Sequence, residues 1–237
     1  MEFKDSRFQG VFRDGNKDIG KVDYDYSGGG AVPHFKFVSP FKFYRFGIRK
    51  KFGIKESEFL LPPSGDNLLS VLMAHKELKS IVSQIFEPFG FKLVFKPQED
   101  KIEVLKPQED VFISYPYSLV SDTLQRIIFH LLAVNSNNNS VLVFEEPEAH
   151  AFPYYTKFLA EKIALDKNNN QYFISTHNPY FLISVIEKSP KADIGIFITY
   201  FKDYQTRAKL LGEEDIEETM DLGIDVFFNI ERFLEGD

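Results

Sequence analysis

The residues Val141, Leu142, Val143 and Phe144 run directly into two carboxylates, Glu145 and Glu146, with an Asn-rich turn just upstream. An apolar run this short, bounded by turn residues, reads as a strand buried on both faces of a parallel sheet. Its acids then emerge at the carboxyl end of the strand, where open α/β sheets place their ligands. Two adjacent carboxylates repel each other and lose hydration unless a cation or a proton offsets the cost. A bound Mg²⁺ supplies that relief, which suggests a Walker B strand. One carboxylate would hold the metal of a nucleotide and the next would activate the attacking water. The alternative is a strand that ends in solvated acids.

The rest of the chain must build the sheet and position this strand. Its 237 residues are 43% apolar, enough for a sizeable core, with 26 Phe, 11 Tyr and no Trp. The absence of cysteine excludes disulfides and thiolate metal sites and fits a cytoplasmic protein. No apolar run approaches a membrane span, and the start MEFKDSRFQG is too polar for a signal peptide, so no membrane association is expected. A net charge of -7 argues against a wholly nucleic-acid-binding surface but leaves room for a local basic face.

Residues 8–12 and 21–26 alternate like strands around a Gly/Asn/Asp turn, which predicts an N-terminal antiparallel hairpin. The segment Gly15 to Lys21, GNKDIGK, fits the phosphate-loop pattern only superficially. Val22 stands where a hydroxyl is needed, and VDYDYSGGG cannot open the helix that would hold phosphates. Residues 26–55 carry no acid. Lys36, Lys42, Arg45, Arg49, Lys50, Lys51 and Lys55 alternate there with Phe35, Phe37, Phe41, Phe43, Tyr44, Phe46 and Phe52. An edge strand with its apolar face inward explains this pattern best. A surface that binds DNA through Arg49, Lys50 and Lys51 is the other reading.

Helical spacing then predicts one helix over residues 64–86. The pentapeptide KPQED occurs twice, at 96–100 and 106–110, each time after a strand-like run, as expected for two antiparallel strands with similar turns. A strong helix over 121–134 carries Leu124, Ile127, Ile128, Leu131 and Leu132 on its apolar stripe, and Ser121 and Asp122 suit its N-cap. Beyond Pro153 a helix reaches about residue 165. A second buried strand, 171–174, ends in Ser175-Thr176-His177-Asn178-Pro179, and a helix starts at Pro179. A third strand at 193–200 pairs with 205–211, and helices from Glu213 and Val226 close the chain. Strands alternating with helices imply βαβ units. His150 lacks a third nitrogen ligand for a metal and reads as a surface histidine, and His130 reads as a core or interface histidine.

Three features therefore follow in order: a capped helix opening SDTLQR, a strand ending EEPE and a strand ending STHNP. This arrangement, over roughly residues 62–233, resembles the C-terminal lobe of ABC-type ATPases of the SMC-like, AAA-domain group, to which the ATPase portion of OLD-type nucleases also belongs. The resemblance implies an α/β fold: a parallel-containing sheet with flanking helices, as in an incomplete P-loop NTPase, plus the N-terminal antiparallel region. It divides the chain into a β-rich region at 1–63, a connecting helix and hairpin at 64–118, and the ATPase-like lobe at 119–237.

The resemblance also implies roles. Glu145 takes the Walker B position at Mg²⁺, Glu146 that of the general base and His177 that of the γ-phosphate switch. Ser121, Asp122 and Thr123 fall on the signature loop, which contacts ATP held by the opposing subunit of a head-to-tail dimer. A helix N-terminus offers free amides to phosphate, and a histidine at a strand end can bridge a phosphate oxygen. Ser121 as a plain N-cap and His177 as a plain loop histidine remain the alternatives.

This sequence departs from the pattern at several points. Glu145 replaces the usual Asp, Thr123 replaces the signature Gly, and Phe152 stands where a His is common. No GxxxxGK[ST] loop occurs anywhere in the chain. The expectation is an ATPase lobe whose Walker A comes from another segment, a homodimer partner or a different chain. A non-catalytic, degenerate scaffold or regulator is the rival.

Overall fold

The computed structural model describes residues 2–4, 7–14, 17–25 and 41–234. The chain divides into two compact units, Met1–Ser39 and Pro40–Asp237. In the first, β1 (Glu2–Lys4), β2 (Arg7–Asp14) and β3 (Lys17–Asp25) form an antiparallel sheet in that order. Asp14 pairs with Lys17, and Lys17 to Lys21 lie within β3. The segment that mimics a phosphate loop is thus mostly strand and opens no helix.

In the second unit, β4 (Phe41–Tyr44) is followed by α1 (Leu68–Ala74) and α2 (Lys76–Phe86). The single helix expected over residues 64–86 is two. His75 adopts an extended conformation (φ -103°, ψ 103°), and its Nε2 lies 2.8 Å from the Ser57 carbonyl. Val71, His75, Leu78 and Val82 keep a 4-3-4 spacing across the break, so periodicity alone reads straight through it.

Next comes a meander of β5 (Lys92–Lys96), β6 (Lys101–Gln108) and β7 (Val111–Pro116). After Lys96 at the end of β5 the rest of the first KPQED is a turn, but Lys106, Pro107 and Gln108 of the second lie inside β6, and the chain turns only at Glu109 and Asp110. β7 went unpredicted because its residues are mostly exposed and lack the clean alternation of a half-buried strand.

The lobe that follows comprises α3 (Asp122–Ser136), β8 (Val141–Glu145), α4 (Pro153–Ala164), β9 (Gln171–Ser175), α5 (Pro179–Lys188), the hairpin β10 (Phe197–Lys202) and β11 (Gln205–Leu210), and α6 (Glu213–Leu222). Two 3₁₀ segments, Gly223–Phe228 and Ile230–Leu234, replace the helix expected from Val226. β4, β8 and β9 form a parallel sheet in that order, so β8-α4-β9 is a βαβ unit. Among the described residues β10 pairs only with β11, antiparallel, and adds no third strand to that sheet.

Helix α3 is the centre of the main core. Ile127, Ile128, Leu131 and Leu132 of its stripe are buried, and Phe129, Ala133 and Val134 are buried as well, so it is covered on nearly all sides. It packs against α1, α2 and α4, and Phe129 and His130 meet the Tyr44 and Phe144 rings beneath the sheet. A smaller second core gathers Ile186, Leu211, Ile216 and Phe233.

Two expectations are overturned at the parallel sheet. β8 was expected to be buried on both faces, yet Leu142 and Phe144 are buried while Val141 and Val143 are only half-buried. In β4 the face order is inverted. Lys42 and Tyr44 point into the protein, and Phe41 and Phe43 are 66% and 45% exposed. The register places Phe43, Val143 and Phe173 side by side, with Phe173 54% exposed. The polar atoms explain the inversion. Tyr44 donates from its hydroxyl to the Leu60 carbonyl and accepts from Asn137 Nδ2 at 2.9 Å. Lys42 Nζ donates to Asn137 and, at 3.2 Å, to the Ser140 hydroxyl, and lies 3.7 Å from the centre of the Phe59 ring. Burial pushes the Lys42 ammonium down, with Glu58 opposing.

His130 is the sequence-predicted core histidine, 2% exposed, with Nδ1 2.9 Å from the Arg126 carbonyl. Burial drives its pKa down to about 3, so the folded ring is neutral. The unfolded chain binds a proton near pH 6.5 that the folded chain refuses. Stability should therefore be complete above pH 6.5 and fall as pH drops from there towards 3, by up to about 1.4 kcal/mol per unit. Urea titrations of the wild type and of His130→Phe across this range check it. The variant should lose that part of the slope.

Candidate active site

The parallel register delivers both strand ends to one rim. Glu145 stands opposite Ser175, and the Glu146 N–H donates to the Ser175 carbonyl at 2.9 Å. Beyond Glu146 the chain makes a tight double turn. Ala149 N–H donates to the Glu146 carbonyl at 3.0 Å and Ala151 N–H to the Glu148 carbonyl at 2.9 Å. Glu146 and His150 take left-handed backbone conformations (φ 42° and 61°). Such conformations cost non-glycine residues about 1 kcal/mol or more and concentrate at functional sites.

The turn aims Glu146 at the loop after β9. Its Oε1 lies 2.8 Å from His177 Nδ1, with the two side chains 42% and 75% exposed. The two residues expected to act together are therefore in contact. Glu145, the predicted metal position, ends β8 as an exposed side chain on the same rim.

The signature positions are also placed. The Ser121 hydroxyl accepts from the Leu124 N–H at 3.3 Å and caps α3. Asp122 is bound by Arg126 at 2.7 Å, and the Arg126 guanidinium lies 4.7 Å from the centre of the Phe46 ring. Thr123 donates from its hydroxyl to the His150 carbonyl at 2.8 Å, tying the start of α3 to the turn that carries Glu146. His150 itself is exposed, as expected of a surface histidine. Of the basic residues, Lys50 and Lys51 are exposed, and Arg49 is paired with Asp66 at 3.1 Å.

Sequence reasoning did not expect Glu148 to be buried. It is 3% exposed, its Oε1 accepts from the Thr176 hydroxyl, and its Oε2 has no hydrogen-bond partner among the described residues. Burial pushes its carboxyl above the usual range, and the nearby Glu146 charge adds to this, while Thr176 and His177 pull the other way. The residue lies in a turn, where no periodicity marks a buried position.

Among the described residues no cluster of three His, Asp or Glu side chains is arranged to hold a metal. Glu145 and Glu146 offer oxygen donors alone, which suits Mg²⁺, an ion that keeps several waters and takes one or two carboxylates together with substrate phosphates.

Residues 66–182 match the family model described as the AAA ATPase domain. The likeness carried by SDTLQR, EEPE and STHNP therefore holds over the stretch that contains all three motifs. No curated protein matches significantly. Similar solved structures include an SMC ATPase studied for ATP-driven dimerisation and DNA-stimulated activation, at 13% identity and a TM-score of 0.44, covering 65% of this chain and 95% of that one. A Pyrococcus furiosus Smc head domain bound to the C-terminal domain of ScpA aligns at 14% identity and a TM-score of 0.43, over 66% of this chain. An Smc head bound to the C-winged helix domain of ScpA aligns at 17% identity and a TM-score of 0.43, over 62% of this chain. The chain spans only 40% and 46% of the latter two. No described helix is long and apolar enough to cross a membrane.

The cap geometry predicts that Ser121→Ala lowers stability by about 1 kcal/mol. Urea unfolding followed by circular dichroism measures this directly. A loss well below that would leave the Ser121 hydroxyl free for a role other than capping.

Proposed function

We propose that this chain supplies Walker B, general base, switch and signature residues to a composite ATP-hydrolysis site whose phosphate loop comes from another segment or from a partner. The observation that carries this reading is the 2.8 Å contact between Glu146 and His177 at the rim of parallel strands. In this role the Glu146 carboxylate takes the proton of the attacking water. His177 holds that carboxylate in orientation, and its turn towards the nucleotide gives a γ-phosphate oxygen a donor. The N-terminus of α3, with Ser121, Asp122 and Thr123, offers its amides to phosphate across a dimer interface. Glu145 is the residue that would hold Mg²⁺, which supplies neutralisation of the phosphate charge when bound.

The sheet supports a completing partner. Phe43 and Phe173 are 45% and 54% exposed on one face of the sheet, and an apolar sheet face is stable only against a further layer. Mixed with a chain bearing GxxxxGK[ST], the protein should hydrolyse ATP, and Glu146→Gln should cut turnover by about 10²- to 10⁴-fold. Unchanged turnover in the variant removes Glu146 from the mechanism. Tight ATP binding by the isolated chain would refute the need for a second phosphate-binding element.

Thr123 favours a second reading, that of a non-catalytic scaffold. Its hydroxyl is committed to His150 and its side chain occupies the start of α3, where a phosphate would approach. Complex formation with the partner but no hydrolysis at saturating ATP and Mg²⁺ would select it. DNA is the macromolecular partner that the basic segment suits. Neutralising Lys50 and Lys51 should weaken binding and lower its salt dependence by about one unit of log-log slope per lost phosphate contact. No binding at low salt would exclude this partner.

A further inference from the structure

Glu148 and Thr176 lie between the two loops that bear Glu146 and His177, and neither has a role in the reaction outlined above. We infer that they form a latch that holds His177 against Glu146, with Glu148 a positioning residue for the pair. The inference rests on the reading of Glu146 and His177 as the site.

Three observations carry it. First, Glu148 is 3% exposed, although the neighbouring acids at this strand end reach solvent. A buried carboxyl costs free energy unless its polar atoms find partners. Its partner from the other loop is the Thr176 hydroxyl. Second, Thr176 acts in both directions. It donates to Glu148 Oε1, and its oxygen accepts from the Asn178 N–H at 3.0 Å. Asn178 in turn caps α5, accepting from the Tyr180 and Phe181 amides at 2.9 and 3.3 Å. The residues on either side of His177 are thus fixed, one to the opposite loop and the other to a helix. Third, the Glu148 backbone is itself fixed, because its carbonyl accepts from Ala151 within the double turn.

Among the described residues His177 has no comparable anchor of its own: its side chain is 75% exposed and lies against Glu146. Without the latch, the loop at 176–178 keeps its attachment to α5 but loses its side-chain tie to the turn that presents Glu146.

The chain holds 5 histidines, so selective ¹³Cε1 labelling gives a spectrum that can be fully assigned, with His177→Asn identifying the signal of interest. In the full-length protein without nucleotide, Glu148→Ala and Thr176→Val should shift the His177 signal towards that of a free solvated ring. Glu148→Gln should keep it in place, because the amide oxygen still accepts from Thr176, and Thr176→Ser should restore it. An unmoved His177 signal in Thr176→Val overturns the latch. That variant removes one hydroxyl at nearly constant volume, so it decides the matter even if Glu148→Ala fails to fold.

With the partner bearing the phosphate loop, Thr176→Val should lower kcat by about 10- to 100-fold at unchanged KM, and Thr176→Ser should not. A shifted His177 signal in a mixture that never hydrolyses ATP leaves the latch standing and defeats the ATPase reading alone. Hydrolysis unaffected by Thr176→Val defeats the latch alone.

Discussion

The register of β8 on β9 is the constraint from which the site follows. Glu145 opposite Ser175 brings two loops out side by side, and the Glu146 amide closes onto the Ser175 carbonyl as soon as the strands end. Side chains alternate along a strand, so a slip of one residue would exchange Phe144 with Val143 at the core and drive the carboxylates to the other face. The buried side chains prevent that slip. Leu142 and Phe144 are buried in the main core, and the Phe144 ring is held between Tyr44, His130 of α3 and Tyr172. The geometry at the rim therefore depends on aromatic packing beneath it.

The opposite end of the same strands is secured by polar chemistry. Lys42, Asn137, Ser140 and the Tyr44 hydroxyl make a buried network where α3 gives way to β8, and Asn170 joins it from the β9 side by donating to the Asn137 carbonyl at 3.0 Å. Each member satisfies another, as buried polar groups must. This network determines which face of β4 points inward, despite the two phenylalanines on its other side.

What could be read from the sequence follows from this division of labour. α3, β8 and β9 were legible because their apolar spacing and their short bounded runs are direct records of burial. The proximity of Glu146 and His177 was legible because strand ends in a parallel sheet share a rim. The orientation of β4 was not, since hydropathy alone turns Phe41 and Phe43 inward, and only the distant Asn137 and Leu60 explain why Lys42 and Tyr44 go in instead. The break at His75 was hidden for the same reason, since its ring is held by the distant Ser57 carbonyl, whereas the second KPQED runs on as strand because the exposed β7 pairs with it. Glu148 was the least visible, because burial inside a turn leaves no periodic trace.

Helix α5 belongs to two hydrophobic clusters at once. Phe181 near its start is packed in the large cluster, and Ile186 near its end in the small one with Leu211, Ile216 and Phe233. It is therefore a stiff rod with its first turn capped by Asn178, one residue from the imidazole, and its last turn seated among the C-terminal elements. Loosening of the small cluster has a rigid path to the strand-end loop, and a molecule that grips the C-terminal elements holds the far end of the same rod. Thermal unfolding of the C-terminal elements ahead of the rest would accordingly be felt at the imidazole before the sheet gives way.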